Sequence, residues 1–185
     1  MDTVKHALIL VAFVGLLVGC QDKTGTNSDK SLAASKPAGV DPNAINAPIA
    51  PEAYKVTLAL YGTPSLAFHG TSARYQVQVK NEGTVPVYGA GKNAVNLGVT
   101  ILSSDGTIDG PGGLRDFLRV PLPLLAPGQS ASVALSIPAD AKVDGKTVRL
   151  ATVQEFAAWH DTRDTIDMGP FHVVDGKFTE APVTR

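Results

Sequence analysis

The stretch that decides the fold reads Tyr75-Gln76-Val77-Gln78-Val79-Lys80. Its apolar and polar side chains alternate with a period of two, which is the pattern of a β-strand with one face buried and the other in water. Asn81-Glu82-Gly83 follows directly and consists of turn-forming residues. The stretch therefore predicts a strand of a half-buried sheet that ends in a turn.

The same alternation recurs along the chain, and turn residues separate each occurrence from the next. No stretch of useful length after the first 20 residues has the 3.6-residue periodicity of an amphipathic helix. The pattern predicts an all-β fold, an antiparallel immunoglobulin-like β-sandwich of about seven strands, with a small closed barrel as the alternative. We expect the strands near residues 54–60, 75–80, 95–101, 117–122, 133–137, 148–152 and 165–174.

Composition divides the chain into four parts. We expect residues 1–19 to form a cleaved signal peptide, 20–52 a disordered tether, 53–175 the sandwich and 176–185 a polar tail. The tether is rich in small polar residues and proline, which cannot offset their ordering entropy by burial. Its two apolar residues Ile45 and Ile49 leave open that part of it lies along the domain.

The N-terminus carries an apolar run, residues 7–19, behind Lys5 and His6. This run is typical of a secretory signal and too short to span a bilayer. It ends in Leu17-Val18-Gly19-Cys20, which resembles the lipobox of bacterial lipoproteins. The resemblance implies a diacylglycerol on the Cys20 sulfur, cleavage before Cys20 and acylation of the new N-terminus. An ordinary signal peptide with an incidental cysteine is the alternative.

The lipobox resemblance also implies a place in the cell. The protein would be lipid-anchored in the cell envelope. Gln21 stands where inner-membrane lipoproteins of enteric bacteria usually carry aspartate, which favours the outer membrane with the domain facing the periplasm. Cys20 is the only cysteine, so an internal disulfide is excluded. The net charge of −1, without a basic patch, argues against a nucleic-acid partner.

One loop has the ligand spacing of a calcium site. Asp105, Thr107, Asp109 and Asp116 offer oxygen atoms at intervals similar to those of a calcium-binding loop. The alternative is a plain turn between strands. No other cofactor is expected.

The most distinctive stretch runs from Val153 to Trp159 and holds the only tryptophan. We expect Trp159 to belong to the core or its rim. The alternative is an exposed platform on which a sugar or peptide stacks, flanked by the polar side chains of His160, Asp161 and Arg163.

The order of turns and strand ends resembles the immunoglobulin-like accessory domain of some bacterial glycosyltransferases and the carbohydrate-binding domain of O-antigen exporters. This resemblance covers residues 75–174 and implies the sandwich fold and, more weakly, glycan binding. Its motifs are Asn81-Glu82-Gly83, Val95-Asn96-Leu97-Gly98, Asp105-Gly106, Arg115, Leu122-Pro123, Ala126-Pro127-Gly128-Gln129 and Gln154-Glu155-Phe156-Ala157-Ala158-Trp159.

Three functions follow as hypotheses. The first is a non-catalytic binding or structural module, held at the membrane by its lipid, whose envelope partner the sequence does not name. The second is a glycan-binding lipoprotein. The third, an envelope hydrolase, depends only on carboxylates such as Glu155 and Asp161, which resemble the pair of a glycosidase. We expect that the protein is not an enzyme.

Overall fold

A computed structural model describes residues 41–103, 105–108 and 114–180 of the protein. These residues form an antiparallel β-sandwich with ten strands, three single 3₁₀ turns and no α-helix, which confirms the predicted fold class. In chain order the strands are β1 Val56–Ala67, β2 Ser72–Asn81, β3 Val95–Leu102, β4 Leu118–Pro121, β5 Ser130–Pro138, β6 Thr147–Gln154, β7 Ala158–His160, β8 Ile166–Met168, β9 Val173–Val174 and β10 Lys177–Phe178.

The first sheet has the order β1-β2-β5. Within β2, the apolar members of the alternating stretch are buried and their polar neighbours lie outward. Val77 of β2 stands opposite Val133 of β5, so the buried rows of the two strands share one face. Period-two alternation thus forms one apolar surface across the sheet.

Strand β1 is longer than expected. Gly62-Thr63-Pro64 does not end it. Instead, the register shifts between Tyr61 and Ser65, and pairing with β2 resumes as far as Ala67. Because β1 lies at the edge of its sheet, a proline without an N–H group is tolerated there.

The second sheet has the order β4-β3-β6, and both β7 and β8 pair with the remaining edge of β6. In immunoglobulin terms, β1, β2 and β5 take the places of strands A, B and E. Strands β4, β3 and β6 take those of C′, C and F, while β7 and β8 together stand in for G. Because the last strand is interrupted and counts as two, it explains part of the difference between the ten observed strands and the seven predicted ones.

The core lies between the two sheets and consists mainly of valine, leucine and isoleucine. Each Å² of apolar surface that these side chains remove from water stabilises the fold by roughly 25 cal/mol, which is the main favourable contribution to folding. Among the residues with no measurable exposure are Val77, Val79, Val95, Leu97, Val99, Ile101, Ile137, Val143, Val148, Leu150 and Met168.

The end of the chain differs from the expected single strand at 165–174. Strand β8 ends at Met168, a cis peptide bond joins Gly169 to Pro170, and β9 and β10 form a separate hairpin. Phe178, which we placed in a polar tail, is only 4% exposed, and its ring lies 5.3 Å from that of Phe171. Residues up to at least 178 therefore belong to the packed domain.

Residues 41–52, which we assigned to a disordered tether, lie along the sandwich. Ile45 donates its N–H to the Ala90 carbonyl at 2.8 Å, and its own carbonyl accepts from the Asn93 N–H at 2.7 Å. Farther on, the Ile49 N–H donates to Gln154 Oε1 at 3.1 Å. Both isoleucines pack against the core, as the alternative interpretation of the tether proposed.

The turn after β2 is held by Asn81, whose side chain is fully buried. Its Nδ2 donates to the carbonyls of Val85 and Leu125, at 2.8 and 2.9 Å. Its Oδ1 accepts from the Gly83 N–H at 2.9 Å. Gly83 allows a close approach of the preceding segment, because an added Cβ would stand 2.3 Å from the Ala53 carbonyl oxygen.

Candidate functional site

Trp159 lies on the outer face of the second sheet, which we define as the face turned away from the core. In β3 the core residues alternate with Asn96, Gly98 and Thr100, so these three belong to the outer face. Trp159 pairs with Val153 of β6. Val148 and Leu150 of β6 belong to the core, so Val153 lies on the opposite face of the strand. Of the two expected places, the core or its rim, the core is therefore ruled out, and the indole of Trp159 is partly exposed.

Gly98 makes room for the indole. A Cβ added at Gly98 would stand 2.7 Å from two atoms of the Trp159 ring and 2.8 Å from an Arg119 nitrogen. Real Cβ atoms do not approach other atoms so closely. The absence of a side chain in the middle of β3 thus permits the ring and the guanidinium to meet over the sheet.

Two arginines pack on the indole. The guanidinium carbon of Arg119 lies over the ring at 4.2 Å from its centre, and that of Arg115 at 5.1 Å. Such cation–π contacts contribute about 0.5–1 kcal/mol each at partly exposed sites. The ring of Trp159 is therefore already engaged by charged side chains of the same domain, which reduces the area left for stacking a ligand.

Carboxylates complete what we call the Trp159 cluster, namely Trp159, Arg115, Arg119, Glu155 and Asp161. Arg119 Nε donates to Glu155 Oε1 at 3.1 Å, and an Arg115 nitrogen donates to Asp161 Oδ2 at 2.6 Å. The Asn96 side chain also donates to Glu155 Oε1, at 2.7 Å. Glu155 and Asp161, the pair considered for glycoside hydrolysis, are thus each bound to a different arginine.

His160 faces the other way and closes an edge of the sandwich. Its ring stacks on Tyr54, with ring centres 3.8 Å apart and planes inclined by 13°. Its Nε2 is buried without a hydrogen-bond partner in the described residues. Burial lowers the pKa of the His160 imidazole below its ordinary value, because the charged form loses hydration there.

Beside this stack lies an open groove of about 430 Å³. Its lining mixes aromatic and charged side chains, among them Trp159, His160 and Arg163. The predicted platform residues are therefore divided. Asp161 joins the cluster on the outer face, while His160 and Arg163 line the groove.

The predicted calcium ligands do not form a complete set in the described part of the chain. The Asp105 carboxylate accepts from the N–H and the hydroxyl of Thr107, at 2.9 and 2.6 Å. Asp116 forms an ion pair with Arg119 instead. Asp109 lies outside the described residues. Among those that are described, no group of three or more His, Cys, Asp or Glu side chains is placed to hold a metal ion.

The residues predicted to form a lipobox, including Cys20, also lie outside the described residues. No helix within residues 41–103, 105–108 and 114–180 is long and apolar enough to cross a membrane.

Sequence reasoning missed Gly98 and Arg119 as members of this region. The signal was present, since a glycine interrupts an otherwise apolar strand and a lone arginine stands between Leu118 and Val120. Such a glycine can mark the close approach of another group.

No protein-family model matches the chain, and no curated protein does. Among solved structures, one match is β-glucosidase 3B from Thermotoga neapolitana in complex with α-D-glucose, with a TM-score of 0.35 and 18% identity over 62% of this chain and 16% of that one. Another is a β-glucosidase from Listeria innocua in complex with isofagomine, with a TM-score of 0.29 and 13% identity over 82% of this chain and 22% of that one. The chain thus spans less than a quarter of either enzyme. Likenesses this weak do not bear on its function.

Proposed function

We propose that this chain is a lipid-anchored, non-catalytic binding module of the bacterial cell envelope. The observation that carries the proposal is Leu17-Val18-Gly19-Cys20, which holds the only cysteine and follows an apolar run of signal length. The bond to lipid forms at the Cys20 sulfur. Two or more acyl chains then give stable anchoring, whereas a single chain binds a membrane only marginally.

The Trp159 cluster supports a binding rather than a catalytic role. Glu155 and Asp161 each bind an arginine, whereas a glycosidase needs one carboxyl group as an acid and the other as a base or nucleophile. A preformed outer face with an indole, two guanidiniums and two carboxylates suits recognition of a polar partner. The partner would be an envelope protein or glycan.

The anchor is tested with Cys20→Ser in the full-length precursor. Radiolabelled palmitate should enter the wild-type protein and not the variant, and the variant should remain uncleaved or become soluble on membrane fractionation. Gln21→Ala serves as the matched control, because it changes the neighbouring residue and keeps the lipobox. Equal labelling and equal membrane recovery of the Cys20→Ser variant would refute the anchor.

The proposed outer-membrane location has its own test. Gln21→Asp should move the protein to the inner-membrane fraction of an enteric host, as the sorting rule of similar lipoproteins implies. An unchanged distribution would show that Gln21 does not direct it.

Glycan binding is the second candidate, and the partial exposure of Trp159 among hydrogen-bonding side chains favours it. Trp159→Ala should then abolish retention of the protein on an array of envelope glycans. Phe68→Ala, which removes an exposed aromatic from another part of the sandwich, should not. If no glycan retains the wild-type protein, a protein partner becomes the better hypothesis.

A further inference from the structure

Phe156 is presented to solvent in a strained turn. It lies between β6 and β7, where the Ala157 N–H donates to the Gln154 carbonyl at 3.1 Å. Its φ of 55° is in the left-handed region, which glycine and asparagine adopt far more readily than phenylalanine. Its side chain is also 85% exposed. Phenylalanine at this position strains the backbone and also leaves a large apolar ring in water. Contact of the ring with a molecule outside the domain would explain why an apolar side chain is placed there.

This turn belongs to an end of the sandwich that is nearly free of charge, which we call the anchor end. Contacts join its segments: the Asn93 side chain donates to the Glu155 carbonyl, and the Gly89 N–H donates to the Leu122 carbonyl. Leu124, another exposed apolar side chain, lies there as well. The segments 42–51, 83–91, 121–129 and 156–158 contain no Asp, Glu, Lys or Arg.

Charges do occur at the rim of the anchor end, but several of them are neutralised by a partner. Glu82 binds Lys55 at 2.9 Å, and Glu155 binds Arg119. Asp41, Glu52 and Lys92 also lie at the rim. The opposite end differs, since its loops carry Asp105, His69, Asp140, Lys142, Asp144 and Lys146. One end of the domain can therefore leave water at a much lower electrostatic cost than the other.

The chain that leads to Cys20 joins the domain at this same end. Asp41, where the described residues begin, lies at the Tyr88 hydroxyl and raises the pKa of that tyrosine through a hydrogen bond. The 21 residues from Cys20 to Asp41 can span at most about 75 Å. To present the opposite end to the same membrane, about 40 Å of that span would be used to pass the length of β1, so the anchor end is the one that requires the less extended chain.

We propose that the anchor end rests on the bilayer surface and that the Phe156 ring enters the headgroup region. This inference rests on the proposed lipid anchor. Phenylalanine is among the apolar residues that interfacial segments bury at the boundary between headgroups and acyl chains, and a low charge keeps the cost of dehydration small. Because the anchor holds the domain at a high effective concentration near the lipid, a weak contact is sufficient.

The only tryptophan serves as a built-in reporter. Trp159 lies in β7, which starts directly after the Phe156 turn. The mature lipidated protein is reconstituted into vesicles of ordinary phospholipid or of phospholipid with a nitroxide on its headgroup, which quenches indole fluorescence at short range. We expect Trp159 to be quenched in the nitroxide vesicles and Phe156→Gly to lose most of that quenching. Glycine suits the backbone at this position, so the variant should fold with an unfolding midpoint no lower than that of the wild type.

Phe68→Gly is the matched control. Phe68 shares both features, since it is 67% exposed and has a φ of 50°. It differs because it lies at the opposite end among charged loops, and the Arg74 guanidinium covers its ring at 4.8 Å from the centre. Its replacement should leave quenching unchanged.

The outcomes separate this inference from the anchor. If the protein acquires no lipid and does not float with vesicles, the anchor fails and the docking inference falls with it. If lipidated protein floats but Trp159 is not quenched, or Phe156→Gly is quenched as strongly as the wild type, docking through Phe156 is overturned while the anchor stands. If the Trp159 signal depends on the density of protein in the vesicles and not on the nitroxide, the surface contacts a second copy of the chain, which also overturns the inference.

Discussion

Replacing Asn81 by alanine tests how the sandwich holds the turn after β2. The side chain makes three hydrogen bonds, to the Val85 and Leu125 carbonyls and from the Gly83 N–H. The Leu125 carbonyl keeps a partner, because it also accepts from the Val87 N–H at 3.0 Å. The Val85 carbonyl and the Gly83 N–H would lose the bonds that Asn81 provides.

The expected cost follows from these two groups. A polar group left without a partner in a buried place costs about 1–3 kcal/mol, and the lower half of that range applies where water can reach it. Both bonds are only partly buried, so each group should contribute about 1–1.5 kcal/mol. Together with the lost packing, we expect Asn81→Ala to lower the free energy of unfolding by about 3 kcal/mol, or the Tm by roughly 10 °C.

Urea unfolding measures this difference, with Trp159 fluorescence and far-ultraviolet circular dichroism as independent probes. Asn46→Ala is the control, because Asn46 also forms two hydrogen bonds through its side chain but is exposed. That variant should stay within about 0.5 kcal/mol of the wild type. If Asn81→Ala unfolds at the wild-type urea concentration with an unchanged slope, the hydrogen bonds of Asn81 do not stabilise the turn as argued.

Three further predictions concern the candidate site. Trp159→Ala should lower the free energy of unfolding by about 1–2 kcal/mol, because the indole lies outside the core. Loss of a core aromatic typically costs about 3–5 kcal/mol, so a loss of about 4 kcal/mol measured by urea unfolding would contradict this placement. Folding lowers the pKa of His160, so below pH 6.5, the ordinary value, the unfolded chain binds a proton more readily than the folded one. The wild type should therefore lose stability relative to His160→Gln as the pH falls below 6.5. Parallel pH profiles of Tm for the two proteins would be evidence against a buried neutral imidazole. If the loop binds calcium, millimolar calcium should raise the Tm and Asp109→Ala should remove the rise, whereas identical melting in chelator would leave the loop as a turn.

Much of the sandwich could be predicted, because local patterns specify it. The predicted strands at 75–80, 95–101, 133–137 and 148–152 all lie within observed strands, since their alternation allows only one face to be buried. The prediction failed where short segments take their structure from distant partners. Strand β7 has three residues, and Ile49 is held by Gln154, 105 positions away in the chain.

The sequence by itself determined the all-β class and the turn at Asn81-Glu82-Gly83, and it carries the resemblance of residues 17–20 to a lipobox, because each depends on residues adjacent in the chain. Only the tertiary structure decided which face carries Trp159. That face follows from the pairing of Trp159 with Val153 and from the space over Gly98, and neither is visible in the local pattern. The anchor end likewise became visible only when four uncharged segments, far apart in sequence, met at one end of the sandwich. Packing brings such segments together through contacts that no single stretch of the chain encodes.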